Sequence, residues 1–406
     1  MADRERMAFD LLNDDCLLDV IKRLEFPDQL SLLSLTPALT ENVRYEWRNY
    51  TKYVLDAPEL IKLQRNPEHL LQLSEIINST VQELVIDYGK VEHLQPWKKH
   101  SFSSIRTLKC SLDDEVDPAE GIRLLVELFP ALTSLKLEGP ISGIDMWHWT
   151  ELQDLDLSGC YDLEPQYFKQ IFGTLKLEKL NFAVGQRQSY LEEALSIASC
   201  RTLQELQIDD FYVTEVFIAH LNMLPNFRRL TMRTTGNPKI EAIVNLMSYR
   251  ITQAQFNDAI WTCPAHVLQK LTSLELLAII EDDIESSDIT LLVSNLPSLK
   301  QLHLINTQIW RVAADLWNMV NLCPSLELIN LTGMQMYEDF FDVIGEKMEL
   351  SLRNREKPLI VNLHNTGDQE HLIIKYFKHP NLKISFEPLE MDFIEASFIQ
   401  LDFNSK

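Results

Sequence analysis

Six cysteines and ten histidines are the residues best suited to metal binding or nucleophilic catalysis, and their spacing assembles neither. Cys16, Cys110, Cys160, Cys200, Cys263 and Cys323 are widely scattered, with no C-x-x-C pair and no histidines at ligand spacing, so no metal site is expected. Thiols distributed in this way fit burial in a reducing compartment. His148, between Trp147 and Trp149, has no nucleophile or acid partner and so no catalytic task. The two tryptophans suit either an exposed anchor or packing on the helical side of a repeat. The chain carries no G-x-x-x-x-G-K loop, no H-E-x-x-H, no G-x-S-x-G and no dinucleotide glycine pattern. Neither a cofactor nor catalysis by this chain alone is expected.

Binding chemistry is spread instead over a recurring phrase, L-x-x-L-x-L. It opens at Val81, Ile105, Leu132, Leu152, Leu177, Leu203, Phe227, Ile251, Leu274, Leu299 and Leu326, then more loosely at Leu359 and Leu382. A period of about 25 residues is that of leucine-rich repeats. In the copy at Leu203 the apolar set Leu203, Leu206, Ile208, Phe211 and Val213 contains the period-2 step of a strand and is expected to face inward. Thr214 then reads as the N-cap of a helix that ends at Leu224-Pro225. The same stop recurs at Phe129-Pro130, Leu296-Pro297, Cys323-Pro324 and His379-Pro380. The expected fold class is therefore α/β: a leucine-rich-repeat solenoid of about 12–13 repeats, with a parallel sheet inside and helices outside. The run Leu152, Leu155, Leu157, Cys160, Leu163 resembles the cysteine-containing subfamily of these repeats, which implies that Cys160 packs inward from the turn after its strand.

Strand residues between the inward positions face the concave surface, and their chemistry changes along the array. Glu83, Asp87, Glu138, Asp154, Asp156, Glu205 and Asp209 make an acidic start; Arg229 and Arg233 reverse the sign; Leu276, Ala278, Ile280, Ile305 and Leu328 are apolar. Apolar side chains on adjacent strands form a patch of the kind another chain covers. Arg229, Arg233, Leu276, Ile280, His303, Ile305 and Leu328 are accordingly the expected substrate-binding residues. The chain's own acidic and apolar tail, Glu387 to Phe403, is the alternative occupant, and a tolerated surface without special role is the third reading.

The elements ahead of the repeats are of another kind. Asn13 caps a helix with Asp14 and Asp15 in its first turn, Phe26-Pro27 starts a second, and Thr36-Pro37 starts a third that ends near Trp47. Cys16, Leu17, Leu18, Val20, Ile21 and Leu24 spread over an apolar arc of roughly 200° on the first helix, wider than one core requires. A helical cap on the first repeats and a module with an external partner both explain that. The stretch from Leu12-Asn13-Asp14-Asp15-Cys16-Leu17-Leu18 to Phe26-Pro27-Asp28-Gln29-Leu30 resembles the F-box, with Asn13 where the family has proline and Leu35-Thr36 where it has Val-Cys. With the repeats, the resemblance covers residues 9–50 and 81–403 and implies the substrate receptor of a Skp–cullin–F-box ubiquitin ligase. It implies contact with the Skp-family adaptor, and through it cullin, by Leu12, Asn13, Leu17, Leu18, Ile21, Leu30 and Leu33. An interaction scaffold and a regulator of small GTPases are the other functions that fit a repeat array.

The expected organisation is a helical module over 9–50, a stiff helical connector over 51–80, the solenoid over 81–386 and a tail or cap over 387–406. Sixty acidic against 37 basic residues give a net charge of −23, which repels phosphate backbones and anionic membranes. The polar start and the lack of a long apolar run point to a cytoplasmic or nuclear protein.

Overall fold

Leucines of successive phrases lie side by side in the structure. The computed structural model describes residues 12–404 apart from 34, 57, 59, 62–66, 116, 185–192, 236–239, 261–262, 283, 308, 311, 337, 342–344, 368 and 393. The first residues of the expected helical module, 9–11, lie outside the described residues. The chain forms two compact units, Met1–Cys200 and Arg201–Lys406.

The first unit starts with three helices, α1 (Asp14–Ile21), α2 (Phe26–Leu32) and α3 (Pro37–Trp47). Their starts follow from capping: Asn13 Oδ1 accepts from Cys16 N at 2.9 Å, and Thr36 Oγ1 accepts from Leu39 N at 3.3 Å. Leu17, Ile21, Leu30, Leu39, Val43 and Trp47 form their core. Buried Gln29 fastens the three together, because its amide donates to the carbonyls of Ile21 and Leu24, both at 2.9 Å, and accepts from Trp47 Nε1 at 2.6 Å. A buried amide with these partners leaves no polar group unpaid in the core.

Residues 51–80 differ from the expected all-helical connector. Lys52–Leu55 is a strand, β1, followed by helix α4 (Pro67–Thr80), and β1 pairs in parallel with β2 (Glu83–Gly89). Tyr53 and Val54 carry the β-forming side chains that make this short edge. The sheet continues through β3 (Thr107–Leu112), β4 (Ser134–Gly139), β5 (Asp154–Cys160) and β6 (Lys179–Phe182). Their register aligns Leu84, Leu108, Leu135, Leu155 and Leu180 in one buried row. Gly139 ends β4 with φ 109°, where a Cβ would sit 2.5 Å from the Leu112 carbonyl oxygen. No other residue type fits that approach. In the shortest repeat the helix is replaced by the 3₁₀ turn Met146–His148; Trp149 is buried and donates to Phe129 O at 2.8 Å, while His148 is exposed. Cys160 is buried as expected, its thiol within 3.3 Å of Leu137 O, and burial raises its pKa well above the usual range.

The second unit holds β7 (Glu205–Asp209), β8 (Arg229–Arg233), β9 (Ile251–Asn257), β10 (Leu276–Ile280), β11 (Gln301–Ile305), β12 (Leu328–Asn330), β13 (Leu359–Asn362), β14 (Leu382–Ser385) and β15 (Phe398–Phe403). Helices Glu215–Met223, Ile240–Met247, Ala265–Leu268, Ser286–Ser294, Ala313–Leu322 and Gly345–Leu352 each pack on the next. Thr214 caps the first of them, accepting from Phe217 N at 3.2 Å. One detail of that repeat departs from expectation: the 3₁₀ turn Asp210–Tyr212 brings Tyr212 into the core and leaves Phe211 half-buried.

The tail is not an end cap. β15 lies between β8 and β9, antiparallel to both, while β7–β8 and β9–β14 pair in parallel. Leu401 takes a place in the leucine row, paired with Leu230 on one side and Ala254 on the other. Ile399 and Leu401 are wholly buried. Burying each contributes about 1.5–3 kcal/mol. We therefore expect Leu401→Ala to lower the urea-unfolding free energy of the second unit by about 2–5 kcal/mol, whereas Leu382→Ala, on a half-buried residue of β14, costs clearly less.

Candidate functional site

The strand face opposite the helices of the second unit carries three rows of side chains, set by parallel register. The middle row runs Thr231, Gln400, Gln255, Ala278, His303, Asn330 and Asn362, all buried. Asn330 Nδ2 lies 3.3 Å from His303 Nδ1, and His303 Nε2 lies 3.4 Å from Gln301 Oε1. Burial pushes the His303 pKa down to about 4, so the ring is neutral at neutral pH.

The row at the strands' C-terminal ends runs Asp209, Arg233, Phe398, Asn257, Ile280 and Ile305. Arg233 is spent on Asp209, with Nε 2.6 Å from Oδ1. Ile280 and Ile305 are buried, and the chain between β14 and β15 is tied down on either side of them. Asn362 Nδ2 donates to Glu387 O and Asn257 Nδ2 to Ile394 O, both at 2.7 Å. Residues 386–392 and 394–397 thus run as a strap tied at this end of the face. Of the expected substrate residues, Ile280, Ile305 and His303 are closed off from a partner in this arrangement.

The third row, at the strands' N-terminal ends, stays open. It runs Glu205, Arg229, Asp402, Gln253, Leu276, Gln301, Leu328 and Ile360. Leu276 and Leu328 are half-buried, and Gln253, Gln301 and Ile360 are exposed. Arg229 is held by the tail: its Nε and Nη2 reach the two Asp402 oxygens at 2.7 and 3.2 Å. That bond is the leading cause of its raised pKa.

Sequence reading missed Arg250, which is 3% exposed. Its Nη2 donates to Phe227 O at 2.8 Å and Nη1 to Asn222 Oδ1 at 2.9 Å, while Nε and Nη2 both approach Asn404 O at 3.2 Å. It also sits 5.7 Å over the Phe403 ring. An arginine at the strand entry, where the neighbouring repeats have Asn226 and Ser273, gives no local sign of a partner more than 150 positions away.

In the first unit the expected acidic start is largely paired. Glu83 lies between Lys52 at 2.8 Å and Lys109 at 3.6 Å, and the hydrogen bond from Lys52 leads in holding its carboxyl below the usual range. Lys136 meets Glu138 at 2.9 Å. On the three-helix module, Leu17, Ile21 and Leu30 are core residues and so are not available to an adaptor. Asn13 is exposed but committed to its cap. Leu18 and Leu33 are half-buried, Leu12 is 41% exposed, and Leu35 and Tyr45 extend the exposed apolar set.

Among the described residues no group of three or more His, Cys, Asp or Glu side chains could hold a metal ion, and no helix is long and apolar enough to cross a membrane. No protein-family model and no curated protein sequence matches the chain. Many solved structures are similar, two among them at low identity. One, LegL7, a leucine-rich repeat-containing protein from Legionella pneumophila, is 17% identical over 74% of this chain and 97% of that one, with a TM-score of 0.36. Another is TLR13 in a complex with ssRNA13, 16% identical over 70% of this chain, with a TM-score of 0.30. This chain spans only 36% of the TLR13 chain. The repeat architecture stands on the strand and helix order above: it is a leucine-rich-repeat fold.

The neutral, buried His303 has a pH signature. Its folded pKa of about 4 lies below the ordinary 6.5, so its contribution to stability is complete above pH 6.5 and is lost as pH falls towards 4. Across that window the loss is on the order of 3 kcal/mol. Thermal unfolding from pH 7.5 to 4.5 should show it, and His303→Gln should flatten the slope; an unchanged slope would remove His303 from the account.

Proposed function

We propose that this chain is a non-catalytic protein-binding subunit, and specifically the substrate receptor of a Skp–cullin–F-box ubiquitin ligase acting in the cytoplasm or nucleus. The observation that carries the reading is the three-helix module ahead of the repeats. Its inner side chains Leu17, Ile21 and Leu30 complete a core, yet Leu12, Leu35 and Tyr45, the last 57% exposed, remain at its surface, and Leu18 and Leu33 are only half-buried. A module this small that leaves apolar side chains in water gains by covering them with a partner. The Skp-family adaptor, leading to cullin, is that partner in this reading.

The substrate is a protein held on the open row of the second unit, where Leu276, Leu328 and Ile360 alternate with Gln253 and Gln301. The chain's contribution is positional: it raises the effective concentration of a substrate lysine near ubiquitin carried by other subunits. Nucleic acid is not proposed, since the net charge of −23 opposes a phosphate backbone.

A second reading, a scaffold whose helical module only caps the repeats, is favoured by the contacts of α2 with α4 and by Thr80 Oγ1 donating to Trp47 O at 3.3 Å. A small-GTPase regulator has no observation in its favour. Co-purification with Skp-family adaptor and cullin separates the first two. The ligase reading expects capture by the wild type and at least a tenfold loss with Leu12→Asp plus Leu18→Asp, at unchanged circular dichroism. No capture by the wild type would leave the scaffold reading standing. Leu17→Asp is unsuited to this test, because it would unfold the module.

A further inference from the structure

β15 enters a sheet whose other strands belong to consecutive repeats. β8 and β9 are joined through residues 234–250 and would be neighbours in an uninterrupted array; here each offers a full edge to the tail strand. Pairing runs from Phe398 opposite Arg233 and Asn257 to Asp402 opposite Arg229 and Gln253. Beyond the strand, Ser397 N donates to Asn257 O, Thr234 N to Ser397 O, and Asn404 N to Arg250 O, each at 2.8 Å. This is strand addition on two edges at once.

The slot also has side-chain selectivity. Ile399, Leu401 and Phe403 enter the core, with Phe403 centred 5.7 Å from the Phe227 ring. Arg229 takes the acid of Asp402 in two bonds, and Arg250 clamps the backbone of Asn404. Two basic side chains thus line the slot of an otherwise strongly acidic chain, ready for an acidic strand.

Two features mark the resident strand as replaceable. It hangs on a strap whose described residues form no helix or strand, and in which Glu387, Pro388, Glu390, Asp392, Glu395 and Ala396 are exposed. The fit is also incomplete. Gln255 and Asn257, each 7% exposed, face β15, and Gln255 Oε1 and Asn257 Oδ1 have no hydrogen-bond donor. A buried acceptor without a donor costs free energy. Phe398 lies opposite Asn257 and cannot supply a donor from its side chain.

We propose that the gap between β8 and β9 is a strand-receiving site, occupied at rest by the chain's own terminus, which exchanges it for an extended segment of another protein. The segment it fits has apolar residues at the places of Ile399, Leu401 and Phe403, an acid at that of Asp402, and a hydrogen-bond donor at that of Phe398. This inference is independent of the ubiquitin reading, because the slot lies in the repeats and needs no adaptor.

The test keeps the folded full-length chain. A protease-recognition sequence is placed in the exposed strap at 388–392, the purified protein is cut, and a fluorescent peptide of the sequence 394–406 is added. We expect the label to enter the nicked protein readily and the uncut one only at higher peptide concentration, because there the tethered strand competes for the slot. The Phe398→Asn peptide should bind several-fold tighter and the Asp402→Arg peptide at least tenfold weaker, with Arg229→Asp in the protein restoring the latter. No label uptake over days by a nicked protein of unchanged circular dichroism would overturn the proposal, as would equal binding of the Asp402→Arg peptide. A concentration-dependent dimer that forms in place of uptake, read by light scattering, would assign the slot to a second copy and overturn the foreign-segment reading.

Discussion

Every strand inside a sheet has two edges of N–H and C=O groups, and each edge has to be paired. In the second unit that requirement governs the rest. β8 and β9 do not pair with each other, and the strand that satisfies both comes from the other end of the unit in sequence. The helix Ile240–Met247 packs between its neighbours as it would in an unbroken array, so the convex packing does not reveal the interruption. The row of inward leucines does: one of its places is filled by Leu401 instead of a repeat residue.

That insertion decides what the face can bind. To reach its slot the tail must cross β13 to β9, and it crosses at their C-terminal ends, where Asn362 and Asn257 take hold of its carbonyl groups. Apolar Ile280 and Ile305 are buried at those ends, while Leu276, Leu328 and Ile360 at the opposite ends stay open. In the buried polar row between the two borders Asn330 bonds to His303, Asn362 to Glu387 O and Gln400 to Asp402. Gln255 in this row and Asn257 in the row beside it each keep an acceptor without a donor, and both lie opposite the inserted strand.

The helical module shows the same division between local and distant effects. Its three helix starts depend on Asn13, Pro27 and Thr36, each acting within a few residues. How the helices pack depends on Gln29, a polar residue that no apolar pattern singles out, bonded to Ile21, Leu24 and Trp47. The wide apolar arc of α1 resolves into Leu17 and Ile21 inside and Cys16 outside, with Leu18 and Val20 between.

By itself the sequence determined whatever is periodic or adjacent. The L-x-x-L-x-L phrase put Leu84, Leu108, Leu135, Leu155 and Leu180 into one row, Thr214 and Asn13 began their helices, and Cys160 turned inward, because each of these depends on side-chain alternation or on a bond spanning three residues. The face itself was legible in Leu276, Ile280, His303, Ile305 and Leu328. Which of them remain open was not. Only the tertiary structure decided that Arg229 meets Asp402, that Arg250 holds Asn404 and that β1 opens the sheet, since these pairings join segments with no shared period. A strand's hydrogen-bonding edge is the same for every sequence, so the choice of its partner is made by the side chains that the whole unit brings together.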